Sequence, residues 1–281
     1  MEVVASPAEI QRICLGHRIG GRSIGFVPTM GYLHAGHTSL MKLARPRVDV
    51  LVVSIFVNPA QFGPREDLAS YPRDLERDLA LCRAEGVDIV FTPGSADVYP
   101  PGYSTWVEET RLSAGLCGAS RPGHFRGVAT VVLKLFNLVV PTLAVFGSKD
   151  YQQARVVAKM VGDLDLPVEV VTAPIVREPD GLAMSSRNRY LSGAEREQAL
   201  CLFHALERAR ALFAAGERSA AAIIAAMSAE IAAAPSARID YVEVRDAETL
   251  EPVEALERPA VAALAVFIGS TRLIDNAVLG A

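Results

Sequence analysis

Residues 23–44 read SIGFVPTMGYLHAGHTSLMKLA, and the order of residue types in this stretch decides the fold class. SIGFV is an apolar run, the pattern of a buried strand. HTSLMKLA has the spacing of a helix, starting near His37. Glycines and His34 lie between them and His37 opens the helical stretch, two of the chain's five histidines. A strand passing through a glycine-containing turn into a helix is the first half of a βαβ unit.

The alternation continues outward from there. SPAEI (6–10) opens a helix, with Ser6 as cap, Pro7 in the first turn and Glu9 three residues after the cap. VDVLVVSIFV (48–57) is nearly continuous in apolar, mostly β-branched residues, as in a strand covered on both faces. LERDLALCRAEG (75–86) is helical, with Leu75, Leu79 and Cys82 on one stripe and Gly86 as terminator. VDIVFTP (87–93), TLAVFG (142–147) and VEVVTAPIV (168–176) read as strands; VATVVLKLFNLV (128–139) and YQQARVVAKMV (151–161) read as helices. The pattern predicts an α/β fold, a Rossmann-like parallel sheet with helices on both faces.

The texture changes after residue 176. Ser192 and Glu195 form a capping box ahead of QALCLFHALERARALFAAG (198–216) and the alanine-rich SAAAIIAAMSAEIAAA (219–234). IDYVEVRD, AALAVFIG and TRLIDNAV then read as strands. Residues 1–176 are therefore expected to form a Rossmann-like domain, and 177–281 a smaller α+β C-terminal domain.

Composition narrows the classes. With 28 basic and 32 acidic residues the net charge is −4, which argues against broad nucleic-acid binding. The four cysteines, Cys14, Cys82, Cys117 and Cys201, have no C-x-x-C spacing and are expected as buried free thiols in a reducing compartment. No signal pattern opens the chain, and no apolar run reaches the roughly 20 residues that span a bilayer. A cytoplasmic protein without a membrane partner is expected.

In parallel sheets ligands gather at the C-terminal ends of strands. Four predicted strand ends deliver polar residues: His34 and His37; Asn58 and Gln61; Gly147, Lys149 and Asp150; Val176 and the MSSR run, Met184–Arg187. A helix N-terminus beside His37 would bind an anion such as a triphosphate, with two imidazoles as added donors. Two readings compete at this point: histidines that cap a turn, and a zinc site, which would need further ligands. No G-x-x-x-x-G-K-[ST] motif is present.

His34-Ala35-Gly36-His37 resembles the HIGH signature of the nucleotidylyltransferase superfamily. Five blocks in order make the resemblance closer: residues 26–41, 52–78, 121–139, 145–153 and 176–192 are together similar to the pantoate–β-alanine ligase family. That resemblance implies joining of pantoate to β-alanine with ATP and Mg²⁺, through a pantoyl adenylate, with AMP and pyrophosphate released. It implies a cytoplasmic homodimer that binds no nucleic acid. Carried over by motif, Met30, Gly31, Tyr32, Leu33, His34, Ala35, Gly36 and His37 would line the ATP site, with His37 as catalytic acid and His34 positioning phosphate. Gly147, Ser148, Lys149 and Asp150, then Val176, then Met184, Ser185, Ser186 and Arg187, would complete it. Lys149 and Arg187 would neutralise charge during the reaction. Ser148 stands where most members carry Glu or Gln. Gln61 and Gln153 would hold pantoate, Gln61 would also touch β-alanine, and His124 would join them, with Arg121 or Arg126 supplying charge nearby. Asp78 and Asn58 resemble pocket residues, and Asp78 reads equally as an exposed helix residue. The resemblance implies no protein-held metal. Three other functions share some of these features: a nucleotidylyltransferase, an aminoacyl-tRNA-synthetase-like enzyme and a non-catalytic nucleotide-binding protein.

Overall fold

A computed structural model describes residues 1–64 and 66–280 of the chain; Arg65, inside the block 52–78, and Ala281 lie outside the described residues. The chain divides into two compact units. Unit 1 comprises Met1–Thr110, Arg121–Ser148 and Gln153–Pro174; unit 2 comprises Arg111–Ser120, Lys149–Gln152 and Ile175–Ala281.

Unit 1 is built on β1 (Glu2–Val4), α1 (Pro7–Ile19), β2 (Ile24–Thr29), α2 (Ala35–Ala44), β3 (Val50–Ile55), α3 (Leu75–Ala84), β4 (Ile89–Phe91) and α4 (Ser95–Val98). After α5 (Cys117–Ser120), which belongs to unit 2, it continues with α6 (His124–Val139), β5 (Leu143–Gly147), α7 (Tyr151–Asp163) and β6 (Glu169–Ala173); the first two residues of α7 are counted with unit 2. The six strands form one parallel sheet in the order β1-β4-β3-β2-β5-β6. Phe26, Val27, Leu51, Val52, Val53, Val90, Phe91, Ala144 and Val145 are fully buried, which explains why these strands read as continuous apolar runs. The strand order reverses between β2 and β5. The C-terminal end of β2, where His34 follows, therefore lies at the switch point where open α/β sheets bind ligands.

Unit 2 contains α8 (Gly193–Gln198), α9 (Leu200–Ala214), α10 (Ala220–Ala232) and the strands β7 (Ala237–Asp246), β8 (Ala260–Ile268) and β9 (Thr271–Leu279). The strands form an antiparallel sheet in the order β7-β8-β9. Leu202 and Leu206 of α9, with Ile223, Met227 and Ile231 of α10, share its core with Leu264 and Val266. The alanine-rich stretch is thus a packed amphipathic helix.

Several local expectations shift. α2 begins at Ala35, two residues ahead of His37, because His34 acts as its N-cap. The expected stripe of α3 is different: Leu75 is exposed, whereas Asp78 and Cys82 are buried. The helix expected over 198–216 is α9, and the Ser192–Glu195 capping box opens a separate short helix, α8, that ends at Gln198. β1 is a three-residue strand too short to have left a periodic signal. All four cysteines are free and buried; burial pushes the Cys14 and Cys82 thiols up to about 12 and Cys201 to about 11, which leaves them inert. No helix among the described residues is long and apolar enough to cross a membrane.

Candidate active site

The chain leaves β2 through two consecutive left-handed residues, Gly31 (φ 82°) and Tyr32 (φ 51°). A Cβ on Gly31 would lie 2.9 Å from Ile55 Cγ2 and 3.1 Å from Asp78 Oδ2, so both conformation and space call for glycine. This turn aims the Tyr32 and Leu33 N–H groups at one carboxylate: Tyr32 N–H donates to Asp78 Oδ2 and Leu33 N–H to Oδ1, each at 2.7 Å. Asp78 is 1% exposed. A helix side chain 45 residues away therefore holds the turn that delivers His34. Thr29 Oγ1 adds a second tie, accepting from Gly31 N–H at 3.1 Å and donating to Ser54 O at 2.7 Å.

His34 and His37 close a reciprocal capping box on α2. Gly36 N–H donates to His34 Nδ1 at 3.1 Å, and His34 N–H donates to His37 Nδ1 at 3.3 Å. The rings lie 4.1 Å apart at 46°. A nitrogen that accepts a backbone N–H carries no proton, so each neutral ring bears its proton on Nε2. The capping reading and the anion reading are therefore compatible, because the cap uses Nδ1 and fixes Nε2–H as the donor. No group of three metal-ligating side chains occurs among the described residues, so the histidine pair lacks the companions that zinc needs.

Burial pushes the Asp78 carboxyl above its ordinary value, outweighing the two backbone N–H bonds that lower it. A carboxyl with a raised folded pKa contributes stability below its unfolded value, and that contribution is lost as pH rises through the folded value. Asp78→Asn removes this dependence. The stability advantage of the native chain over D78N is thus expected to grow as pH falls from neutral into the carboxylate range. Urea unfolding of both proteins across that range checks it, and an advantage that shrinks on acidification contradicts it.

Gln61 follows β3 in a short turn and is buried. Asn58, 1% exposed, uses all its groups to set that turn. Its amide donates to Gln61 Oε1 at 3.0 Å and Gly127 O at 3.1 Å, and its carbonyl accepts from Ala60 N–H and Tyr99 O–H. Gln61 Nε2 meets Met30 Sδ at 3.1 Å, a weak acceptor that keeps a donor beside the histidine loop. At the first position of α6, His124 sits in a chain of determinate polarity. Arg121 Nη1–H donates to His124 Nε2 at 3.1 Å, and His124 Nδ1–H donates to Gln61 O at 2.8 Å. Arginine can only donate and a carbonyl can only accept, so His124 is the Nδ1–H tautomer, opposite to His34 and His37. Met30, Gln61, His124 and Arg121 are thereby joined in unit 1. Arg126 lies instead over the Trp106 ring at 5.1 Å. Gln153 is half-buried, and its neighbour Gln152 is a buried structural amide in unit 2, bonded to Leu112 O, Gly115 O and Cys117 N–H. At Gly147, the end of β5, an added Cβ would meet nothing within 4 Å, so packing does not demand glycine there.

In unit 2, the Pro179-Asp180-Gly181 turn folds the chain back so that Met184 N–H donates to Val176 O at 3.0 Å. Gly181 takes φ 102° at the turn. Ser185 Oγ caps the following turn by accepting from Arg187 N–H at 3.2 Å. Arg177 pins this loop, gripping the buried Asp275 through both guanidinium arms at 2.6 and 3.0 Å. Asn188 pins it again through Glu178 and Ala183 O. Lys149 and Ser185 border one small cavity of ≈ 10 Å³ with Asn188 and Asp275, and Lys149 Nζ lies 3.7 Å from Asp150. Thus Val176 meets Met184, and Lys149 and Ser185 border the same cavity. The support roles of Asp78 and Arg177 came from no spacing signal, because Asp78 acts on a turn 45 residues away and Arg177 grips a partner 98 residues away; Asn58 acts within its own turn and also on Gly127 and Tyr99.

A larger cavity of ≈ 280 Å³ opens in unit 1 on the β3–β4 side of the histidine loop, lined by Met30, Tyr32, Phe56, Arg73, Asp78 and Thr92 among others. It does not include His34, His37 or Gln61.

Comparison with known proteins matches residues 2–278 to the family model described as pantoate-beta-alanine ligase. A pantothenate synthetase of Geobacter sulfurreducens is 55% identical over 280 residues, covering 100% of this chain and 99% of the relative. A crystal structure of the Thermus thermophilus pantothenate synthetase superposes with TM-score 0.95 at 48% identity over 100% of both chains. The Francisella tularensis pantoate-beta-alanine ligase, crystallised in complex with beta-gamma ATP and beta-alanine, matches with TM-score 0.82 at 34% identity over 99% of this chain and 97% of its own.

Proposed function

Since the chain belongs to the pantoate–β-alanine ligase family and so joins pantoate to β-alanine, we propose that it does this with ATP, through a pantoyl adenylate. The observation that carries the reading is the capped histidine pair, with Nε2–H as the proton-bearing nitrogen on both rings at the N-terminus of α2 and the switch point of the sheet. Fixed N–H donors at a helix N-terminus suit charge that grows on phosphoryl oxygens.

In the first step a pantoate carboxylate oxygen attacks the α-phosphorus of ATP, and the bond to the departing pyrophosphate breaks. His37 and His34 donate Nε2–H to oxygens that gain charge. In the second step the β-alanine amine attacks the acyl carbon, the C–O bond to AMP breaks, and an amide forms. The chain's task is positioning and charge stabilisation, so no protein nucleophile is required.

The remaining roles belong to the same proposal. Residues Met30–His37, Gly147–Asp150, Val176 and Met184–Arg187 bind ATP, with Lys149 and Arg187 neutralising phosphate charge. Gln61, Gln153 and His124 hold substrate. Residues 1–176 act as the nucleotide and pantoate domain and 177–281 as the smaller domain, in a cytoplasmic homodimer. No group of three metal ligands occurs among the described residues, so Mg²⁺ would be held on the nucleotide's phosphates rather than in a protein cage, and there it would neutralise phosphate charge.

Mass spectrometry of the protein with ATP, Mg²⁺, pantoate and β-alanine tests the reading: AMP, pyrophosphate and pantothenate support it, whereas ADP or a retained nucleotidyl product contradicts it. Gln61→Ala separates substrate roles. The buried amide beside Met30 is expected to serve pantoate, so KM for pantoate should rise by roughly tenfold or more while KM for ATP changes little. Calorimetry showing unchanged pantoate affinity in Q61A would remove Gln61 from that role.

A further inference from the structure

Glu66 lies in the connection between Gln61 and α3, and Arg121 just ahead of α6. Arg121 grips its carboxylate with two donors, Nε to Oε1 at 2.8 Å and Nη2 to Oε2 at 2.5 Å. The side chains are only 14% and 25% exposed, so water screens the pair incompletely. Burial alone would raise the Glu66 carboxyl, but the Arg121 hydrogen bond and charge hold it below the ordinary glutamate range.

The same guanidinium belongs to the substrate-side polar chain. Its Nη2 also donates to Gln61 O at 3.2 Å, and its Nη1 donates to His124. A planar fork with two parallel donors is the geometry that recognises a carboxylate. Both acids in this reaction carry one. Pantoate's carboxylate must attack phosphorus, and a bidentate arginine would withdraw the electron density it needs. The carboxylate of β-alanine takes no part in bond changes. It needs a fixed anchor, so that the amine at the other end reaches the acyl carbon.

We propose that Arg121 is the carboxylate anchor for β-alanine, and that Glu66 is an internal competitor occupying this anchor in the amino acid's absence. The inference deepens the proposed ligation, on which it rests. Binding β-alanine then requires displacing Glu66, and the apparent affinity is reduced by the fraction of molecules in which the anchor is occupied.

The test compares native protein, Glu66→Gln and Glu66→Ala in the complete reaction, with Arg121→Ala and the double variant E66Q/R121A. Removing the competing charge is expected to lower KM for β-alanine roughly tenfold in E66Q and E66A, with KM for ATP and pantoate unchanged. R121A is expected to raise KM for β-alanine, and E66Q is expected to add nothing in the R121A background. A β-alanine KM that is unchanged or raised in both E66Q and E66A overturns the proposal, since a contact that merely orders Arg121 gives that result. Pyrophosphate release from ATP and pantoate alone reports separately on the adenylate step. Failure there counts against the chemistry of activation, whereas failure in the β-alanine KM counts against the competitor.

Discussion

Replacing His37 with alanine is expected to slow pyrophosphate release from ATP and pantoate by about 10²–10³-fold, the usual effect of deleting one aligned donor from a developing oxyanion. The same change removes Nδ1, which accepts the His34 N–H, and loss of such a cap costs about 1 kcal/mol. Two further variants separate these effects. His37→Asn supplies a short acceptor able to replace Nδ1 in the cap but has no donor at the reach of Nε2. His37→Gln supplies a donor at that longer reach. H37Q is therefore expected to retain more activity than H37N, and H37N to retain more stability than H37A. Stopped-flow pyrophosphate detection beside urea unfolding measures both, and an H37N protein with native turnover would remove the Nε2–H donor from the chemistry.

The second large effect is expected at Gly127, in the first turns of α6. On an open helix surface, alanine in place of glycine stabilises by about 1 kcal/mol. Here the added Cβ would lie 2.2 Å from Ala60 O, 2.5 Å from Ala60 C and 2.8 Å from Gln61 Cα, all backbone atoms that cannot rotate aside. Overpacking of this kind costs about 3 kcal/mol at the upper end of its usual range, so the collision outweighs the helix preference. The displaced atoms carry Gln61, and Gly127 O accepts the Asn58 amide that orients it. Gly127→Ala should thus lower stability and raise KM for pantoate together. A G127A protein more stable than the native chain would show that α6 does not approach the Gln61 turn this closely.

Features of this fold differ in how far they were legible in the sequence. The strands declared themselves because burial on both faces demands apolar residues at every position, as in Val50–Val53. Helices with a packed stripe did so by period, as Ile223, Met227 and Ile231 illustrate. Asp78 defeated that logic. It occupies a buried face of α3, where the period expects an apolar side chain, because it accepts from two N–H groups of a left-handed turn. The start of α2 is displaced from its expected position for a related reason: His34 is a rare capping residue, and its fitness depends on the reciprocal bond from its own N–H to His37. The candidate residues of the HIGH and MSSR segments were readable as motifs. Among the supports that set the geometry, Asp78 and Arg177 act across the chain and leave no local spacing, whereas Asn58 also holds Ala60 and Gln61, and Asn188 holds Glu178 and Ala183, all within ten residues. The resemblance grouped Gln61 and His124 with Arg121 or Arg126, but only the fold shows that Arg121 is the one hydrogen-bonded to both.

The proposed mechanism activates the carboxylate of pantoate on the α-phosphorus at the histidine-capped loop. Its most direct test uses pantoate labelled with oxygen-18 in the carboxylate, reacted with ATP and β-alanine, with the label located by mass spectrometry. Attack on the α-phosphorus followed by amide formation transfers one carboxylate oxygen to AMP, so labelled AMP and unlabelled pyrophosphate are expected. Label in inorganic phosphate, with ADP as the nucleotide product, would place the attack on the terminal phosphorus and contradict the account.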